Sequence, residues 1–304
     1  MNAKGMLRLP KHIWFCLIAG VALIVSVTVG MMLPLQPEAL NNHIESGAIA
    51  GNLVASANLS QRVTEFQGQM FDSWQQQASA KGVYQQIPKR YQGQTLSDVK
   101  PNPRDKIIAL TFDDGPWPKY TEQILDILKA NNIKGTFFVI GRNMKNFPDI
   151  GKRIVAEGHT IANHTWHHWY HRMSPKAAAY EIDATEEIIY QVTGVRTNLF
   201  RPPGGILGNG PAAYARSKNY SVIMWSADSH DYKRPPAERL ISNVMRNSKP
   251  GGIVLMHDGG GVRDSTVKAL PSMIKQFRDS GYRFVTMPEM LALEDKQLQT
   301  IAKK

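Results

Sequence analysis

At 304 residues, with 42% hydrophobic and 20% charged residues, the chain has ordinary globular composition and room for one or two domains. Its single cysteine, Cys16, excludes a disulfide framework and a cysteine metal cluster, so any metal falls to His, Asp or Glu. The formal net charge of +11 suits anionic surfaces, but no basic helix or aromatic-basic motif accompanies it, which argues against nucleic acid as a partner.

Residues 13–33 form an uncharged run, long enough as a helix to cross a bilayer core of about 30 Å. Lys4, Arg8 and Lys11 precede it and the first charge after it is Glu38, so the positive-inside rule predicts a cytoplasmic tail over 1–12. Pro34-Leu35-Gln36-Pro37 offers no small-residue cleavage site, and Ile13-Trp14-Phe15 before Cys16 does not look like a lipoprotein signal. The expectation is an uncleaved, single-pass signal anchor in the cytoplasmic membrane, with the rest of the chain on the outer face. Residues 34–104 are polar and rich in glutamine. Leu59, Val63, Phe66, Met70 and Trp74 recur at intervals of three and four, which predicts a helix over about 55–80. This region reads as a spacer without chemistry of its own.

From about residue 105 the pattern becomes short apolar runs alternating with amphipathic stretches. Strands are predicted over 107–112, 135–140, 160–163, 198–200, 221–225, 253–256 and 283–286. Helices are predicted over 120–130, 148–157, 175–193, 211–217, 237–247 and 265–279. Ser174-Pro175 supplies an N-cap followed by proline at the first helical position, and Gly158, Gly194 and Gly281 fall at helix ends. Seven strand-helix units predict an α/β protein whose parallel sheet is covered on both faces, with a barrel as the natural closure. The domain is placed at 105–293, followed by a C-terminal tail over 294–304.

The polar clusters fall at strand ends. Asp113-Asp114 ends the first strand, His164-Thr165-Trp166-His167-His168 follows the third, and Arg201-Pro202-Pro203-Gly204-Gly205 follows the fourth. Asp228 to Tyr232 follows the fifth, where Trp225 ends the strand, and His257-Asp258-Gly259 ends the sixth. In a βα barrel all these carboxyl ends open on one face, where active sites are built. A lone Asp pair reads equally well as a turn or helix cap, but five clusters on one face argue for an enzyme. His164 and His168 are four apart, so on one helical turn their imidazoles point the same way. Two histidines with a carboxylate make a common open metal site. No Glu follows the first His, which disfavours a zincin protease. His159 and His171 lie outside the spacing and are read as structural.

These five motifs, in this order, resemble those of the polysaccharide deacetylase family (NodB-homology, carbohydrate esterase family 4) over about 106–293. The resemblance implies a distorted (β/α)7 TIM-like barrel that removes acetyl groups from N-acetylated sugars of a glycan. It implies one divalent metal, zinc or else cobalt or another divalent ion, held by Asp114, His164 and His168. Asp113 would act as general base, with Arg201 pairing with it to keep it ionised and oriented. His257 would protonate the departing amine, and Asp231 would stabilise its imidazolium. Gly204 would offer the first backbone N–H after two prolines to the oxyanion, while Trp225 and Tyr232 would line the sugar pocket.

Three departures stand out. Gly204 replaces a customary aromatic residue, which predicts a missing pocket wall. Tyr232 stands where Trp is usual. His167 stands where Ser or Thr is common. The substrate expected from an anchored, exported domain is N-acetylglucosamine (or N-acetylmuramic acid) of peptidoglycan. A chitin-oligomer deacetylase and an acetylxylan esterase are the runners-up. A non-catalytic glycan-binding barrel would be expected to have lost a ligand or the base, and the triad of a non-haem iron oxygenase would leave Asp113, Arg201 and His257 unexplained.

Overall fold

The computed structural model describes residues 84–85, 87–102 and 105–303. The anchor at 13–33 and the helix expected over 55–80 lie outside them. Among the described residues no helix is long and apolar enough to cross a membrane.

Eleven strands appear among them: β1 (Tyr84–Gln85), β2 (Thr95–Leu96), β3 (Ile107–Asp113), β4 (Thr136–Val139), β5 (Thr160–Asn163), β6 (Arg196–Thr197), β7 (Leu199–Phe200), β8 (Ser221–Ile223), β9 (Ala227–Asp228), β10 (Gly252–His257) and β11 (Arg283–Phe284). The helices are α1 (Tyr120–Ala130), α2 (Gly141–Asn146), α3 (Pro148–Ala156), α4 (Pro175–Thr193), α5 (Pro211–Ser217), α6 (Ala237–Asn247), α7 (Asp264–Asp279) and α8 (Met287–Ala302). β1 pairs with β6 alone. The main sheet runs β2-β8-β7-β5-β4-β3-β10-β9, with β11 on the beginning of β3, and every pairing is parallel.

β3 is the spine. All seven of its residues are buried, as a parallel strand covered on both faces requires. Its alternation sorts them: Ile108, Leu110 and Phe112 pack with Ile124, Leu128, Leu270 and Phe277 of the outer helices. Ile107 and Ala109 face the opposite side, with Phe138, Ala162, Leu199, Ile223 and Ile253. Asp113 continues that second set, so the strand's pleat aims its carboxylate into the inner face of the curled sheet.

The distorted (β/α)7 barrel expected takes an open, curled form. All seven predicted strands are present, but β2 and β9 also join the main sheet, and they are its two ends rather than partners. The architecture is a curled, open parallel half-barrel. The segment 87–102 and α8 cover the inner face instead: Ile87, Tyr91 and Val99 share a cluster with Met287, Met290 and Leu291. The boundary at 105 therefore cuts through the folded unit. β2 is two residues long and its apolar partners are distant in sequence, so periodicity could not reveal it.

Residues 294–302 are likewise no tail. Glu294 accepts hydrogen bonds from the Tyr91 hydroxyl (2.7 Å) and the Lys100 N–H (2.6 Å), and Asp295 pairs with Arg90. The start of α8 did carry a signal, a capping box between Thr286 and Glu289. Elsewhere the caps act as read: Ser174 Oγ accepts from the Ala177 N–H, and Gly194 ends α4 in the left-handed region.

Because Tyr91 joins this cover to both the core and α8, Tyr91→Ala in the full chain should cost about 3 kcal/mol, read as a lower denaturant midpoint. A midpoint equal to wild type would show that 87–102 is not part of the folded unit.

Candidate active site

The carboxyl end of β3 brings Asp113 and Asp114 to the rim with both side chains largely buried. Asp113 Oδ1 accepts from Arg201 Nη1 at 2.7 Å. Arg201 is fully buried, and its remaining bonds are to Thr111 Oγ1 (2.8 Å), Ile223 O (3.0 Å) and Met224 O (3.0 Å), with the guanidinium 4.1 Å above the Phe138 ring. Burial works against the guanidinium charge and the Asp113 carboxylate works to keep it. Asp113 Oδ2 lies 3.8 Å from His164 Nε2.

Asp114 sits at φ +76, and its backbone carbonyl accepts from Asn143 Nδ2 at 2.8 Å. Its Oδ1 is buried with no hydrogen-bond partner, 3.5 Å from His164 Nε2 and 3.0 Å from His168 Nε2. Burial pushes this carboxyl up, but the two histidines more than reverse it and hold it well below the usual carboxylate range. His164 Nδ1 lies 2.7 Å from the Arg201 carbonyl, which can only accept. Nδ1 therefore carries a proton, and Nε2 is the nitrogen turned to Asp114. Two imidazole nitrogens and a carboxylate oxygen converging in a buried site form an arrangement that a cation between them would satisfy. Ligand atoms of Asp114, His164 and His168 all lie within 4.8 Å of one another, and this donor set fits a divalent metal.

The two histidines converge by a route other than the helical turn expected. Residues 164–170 form a loop after β5, with Thr165 at φ +69 and His168 at φ +65. Fully buried Glu181 of α4 holds that loop, accepting from the backbone N–H of Trp166 (2.9 Å) and His167 (2.8 Å). His167 Nδ1 meets the other Glu181 oxygen at 2.6 Å, and its ring stacks on Trp169. His167 is thus turned away from the metal set.

On β10, His257 stands in register beside Asp113 of β3. Its Nδ1 lies 2.6 Å from Asp231 Oδ1, while Asp231 Oδ2 accepts from the His257 N–H (2.8 Å) and Thr266 Oγ1 (2.9 Å). Burial lowers the His257 pKa, but the Asp231 carboxylate outweighs this and leaves it at about 9. Asp231 in turn is pushed up by burial and brought below its ordinary value by His257.

A cavity of about 770 Å³ opens over Asp113, Asp114, His164, His168 and His257, with Trp225, Tyr232 and Gly204 on its walls. Arg201 and Asp231 stand behind it, each acting through the residue it bonds.

Other residues that hold the site had escaped sequence reasoning. Besides Glu181 and Asn143 these include Asp258, fully buried, which accepts from the Gly115 N–H (3.1 Å) and Thr121 Oγ1 (2.6 Å) and whose carboxyl burial pushes up to about 7. Any Cβ at Gly259 would come within 2.2 Å of the Asp114 carbonyl, so these two loops can meet only at a glycine. Adjacency to His257 was the only sequence signal for Asp258. Glu181 had none, because its position on α4 reads as one more helix residue.

Arg201→Met should leave Asp113 charged and unpaired in the interior and destabilise the protein by about 3–5 kcal/mol, read as a fall in the denaturant midpoint. A neutral result would mean that the pair contributes nothing to holding the strand ends.

The polysaccharide deacetylase family profile matches residues 100–223. A peptidoglycan-N-acetylglucosamine deacetylase of Bacillus cereus is 39% identical over 189 residues, spanning 62% of this chain and 89% of that protein. A chitooligosaccharide deacetylase of Rhizobium leguminosarum bv. trifolii is 35% identical over 200 residues, spanning 61% and 92% respectively. Among solved structures, the Bc1960 peptidoglycan N-acetylglucosamine deacetylase superposes with a TM-score of 0.62 at 37% identity, covering 66% of this chain and 94% of that one. On its motifs, its fold and these relatives, the chain belongs to the polysaccharide deacetylase family.

Proposed function

We propose that this protein is a metal-dependent hydrolase that removes N-acetyl groups from N-acetylglucosamine residues of peptidoglycan. A fold alone does not confer activity, so the reading rests on one observation. Asp113, the Asp114–His164–His168 donor set and His257 face a single cavity, with the acid and the base in register on neighbouring strands.

A divalent cation held there, zinc in our reading, supplies Lewis-acid polarisation of the acetamide carbonyl and lowers the pKa of water. Asp113, oriented through Oδ1 by Arg201, takes the proton of the attacking water. The Gly204 N–H is the backbone donor offered to the oxyanion. His257, charged at neutral pH and backed by Asp231, gives its proton to the departing amine. Trp225 and Tyr232 pack against the sugar.

The substrate assignment draws on the relatives' peptidoglycan activity and on residues 13–33, which we read as a single-pass anchor that holds the domain outside the cytoplasmic membrane. The net charge of +11 suits an envelope rich in anionic groups. The test is acetate release by the full chain with saturating zinc from purified peptidoglycan, chitin oligomers and acetylxylan. Peptidoglycan should be the best substrate. Clear preference for acetylxylan would overturn the amidase reading, and activity confined to short chitin oligomers would overturn the peptidoglycan one.

His164→Ala should lose about tenfold or more in zinc affinity, measured by chelator competition, while His167→Ala stays near wild type. Normal zinc binding by His164→Ala would refute the ligand assignment.

The pH dependence follows from His257, which donates only while protonated. Activity should persist up to about pH 9 and fall as pH rises through that value. Asp231→Asn removes the charge that raises the His257 pKa, so burial then dominates and the alkaline limb should move to lower pH. An alkaline limb that does not move would exclude His257 as the titrating acid.

A further inference from the structure

We propose that Tyr170 is a substrate-positioning residue, its ring forming the wall of the cavity against which the acetylated sugar packs; this rests on the deacetylase reading above.

The ring lies between two fixed points. It meets the His168 imidazole edge-on, with centroids 5.1 Å apart and planes at 84°. On another side it occupies the space above Gly204. A Cβ built on Gly204 would fall 2.8 Å from Tyr170 Cε1 and 3.1 Å from Cδ1, and the backbone there has φ +60. A side chain at 204 would clash with the Tyr170 ring where it stands, so the glycine leaves room for the ring in this position. The wall that the sequence led one to think missing at 204 is filled from the loop after β5.

That loop is anchored just beyond the ring. Asn209 Nδ2 donates to the Tyr170 carbonyl (3.3 Å), and the Met173 N–H donates to the Asn209 carbonyl (2.8 Å). Even so, Tyr170 remains 55% exposed while lining the same cavity as Asp113 and His257. An aromatic ring held in place yet left open to a cavity is apolar area available to a ligand. The C–H face of a pyranose packs on such a ring by dispersion and by removal of apolar surface from water. Neighbouring Trp169 serves a different purpose, since it stacks on His167 at 4.1 Å, outside this cavity.

The test uses the full chain and the β-1,4 tetramer of N-acetylglucosamine. It measures kcat and KM for acetate release with zinc, zinc affinity by chelator competition, and tetramer binding to metal-free protein by calorimetry. Tyr170→Ala should raise KM and weaken tetramer binding by about tenfold, the scale expected for losing one ring's contact. Its kcat and zinc affinity should stay within about twofold of wild type. Tyr170→Phe should rescue both readouts, and Trp169→Ala should match wild type.

Unchanged KM and tetramer binding in Tyr170→Ala would overturn the proposal. So would a loss of kcat and zinc affinity together with normal tetramer binding, which would make Tyr170 a support for His168 instead. Failure of the deacetylase reading looks different: wild-type protein would release no acetate. If it still bound the tetramer and Tyr170→Ala did not, the wall would stand without the activity. If it bound no tetramer either, both would fall.

Discussion

Arg201 is the residue on which the site depends. Its guanidinium, wholly buried on the inner face of the sheet, bonds Asp113 at the end of β3 and the carbonyls of Ile223 and Met224 at the end of β8. Its own carbonyl receives His164 Nδ1 and so aims the opposite nitrogen at Asp114. One residue therefore orients both the candidate base and a candidate metal ligand, through two different atoms. Burying such a charge is costly, and the geometry offsets the cost with a short ion pair, three further hydrogen bonds and an aromatic ring.

The rest of the site repeats this logic with fewer atoms. Groups at the cavity are held by neighbours behind or beside them: His257 by Asp231, Asp231 by Thr266, the His164–His168 loop by Glu181, and the Asp114–Gly115 turn by Asp258 and by Asn143, which itself lines the cavity. Glu181, Asp231 and Asp258 accept backbone N–H groups, whereas Asn143 donates to the Asp114 carbonyl and Thr266 to the Asp231 carboxylate. Such bonds restrict the loops to one conformation and fix the tautomer or charge of the group in front. The consequence for electrostatics is a division of protons within one cavity. Asp114 is held as a carboxylate by its histidines while His257 is held charged by Asp231, so an acceptor-rich half faces a donor. That polarity is what hydrolysis of an unreactive amide requires, since one proton must leave water and another must reach nitrogen.

What the sequence determined by itself was local and periodic. Runs such as 107–112, apolar at every position but Thr111, read as strands buried on both faces, and Ser174-Pro175 and Gly194 mark helix ends through bonds made within a few residues. Motif order along the chain was enough to name the family and to single out ten site residues, eight of which face the cavity. The tertiary structure decided everything that depends on contacts between distant segments. Whether the sheet closes depends on what covers its inner face, and Tyr91 reaches Glu294 across 203 positions of chain to settle that. The route of the His164–His168 loop depends on a glutamate in the next helix, not on the spacing of the histidines. The wall above Gly204 depends on a tyrosine 34 residues earlier, because shape complementarity between loops leaves no trace in the periodicity of either one.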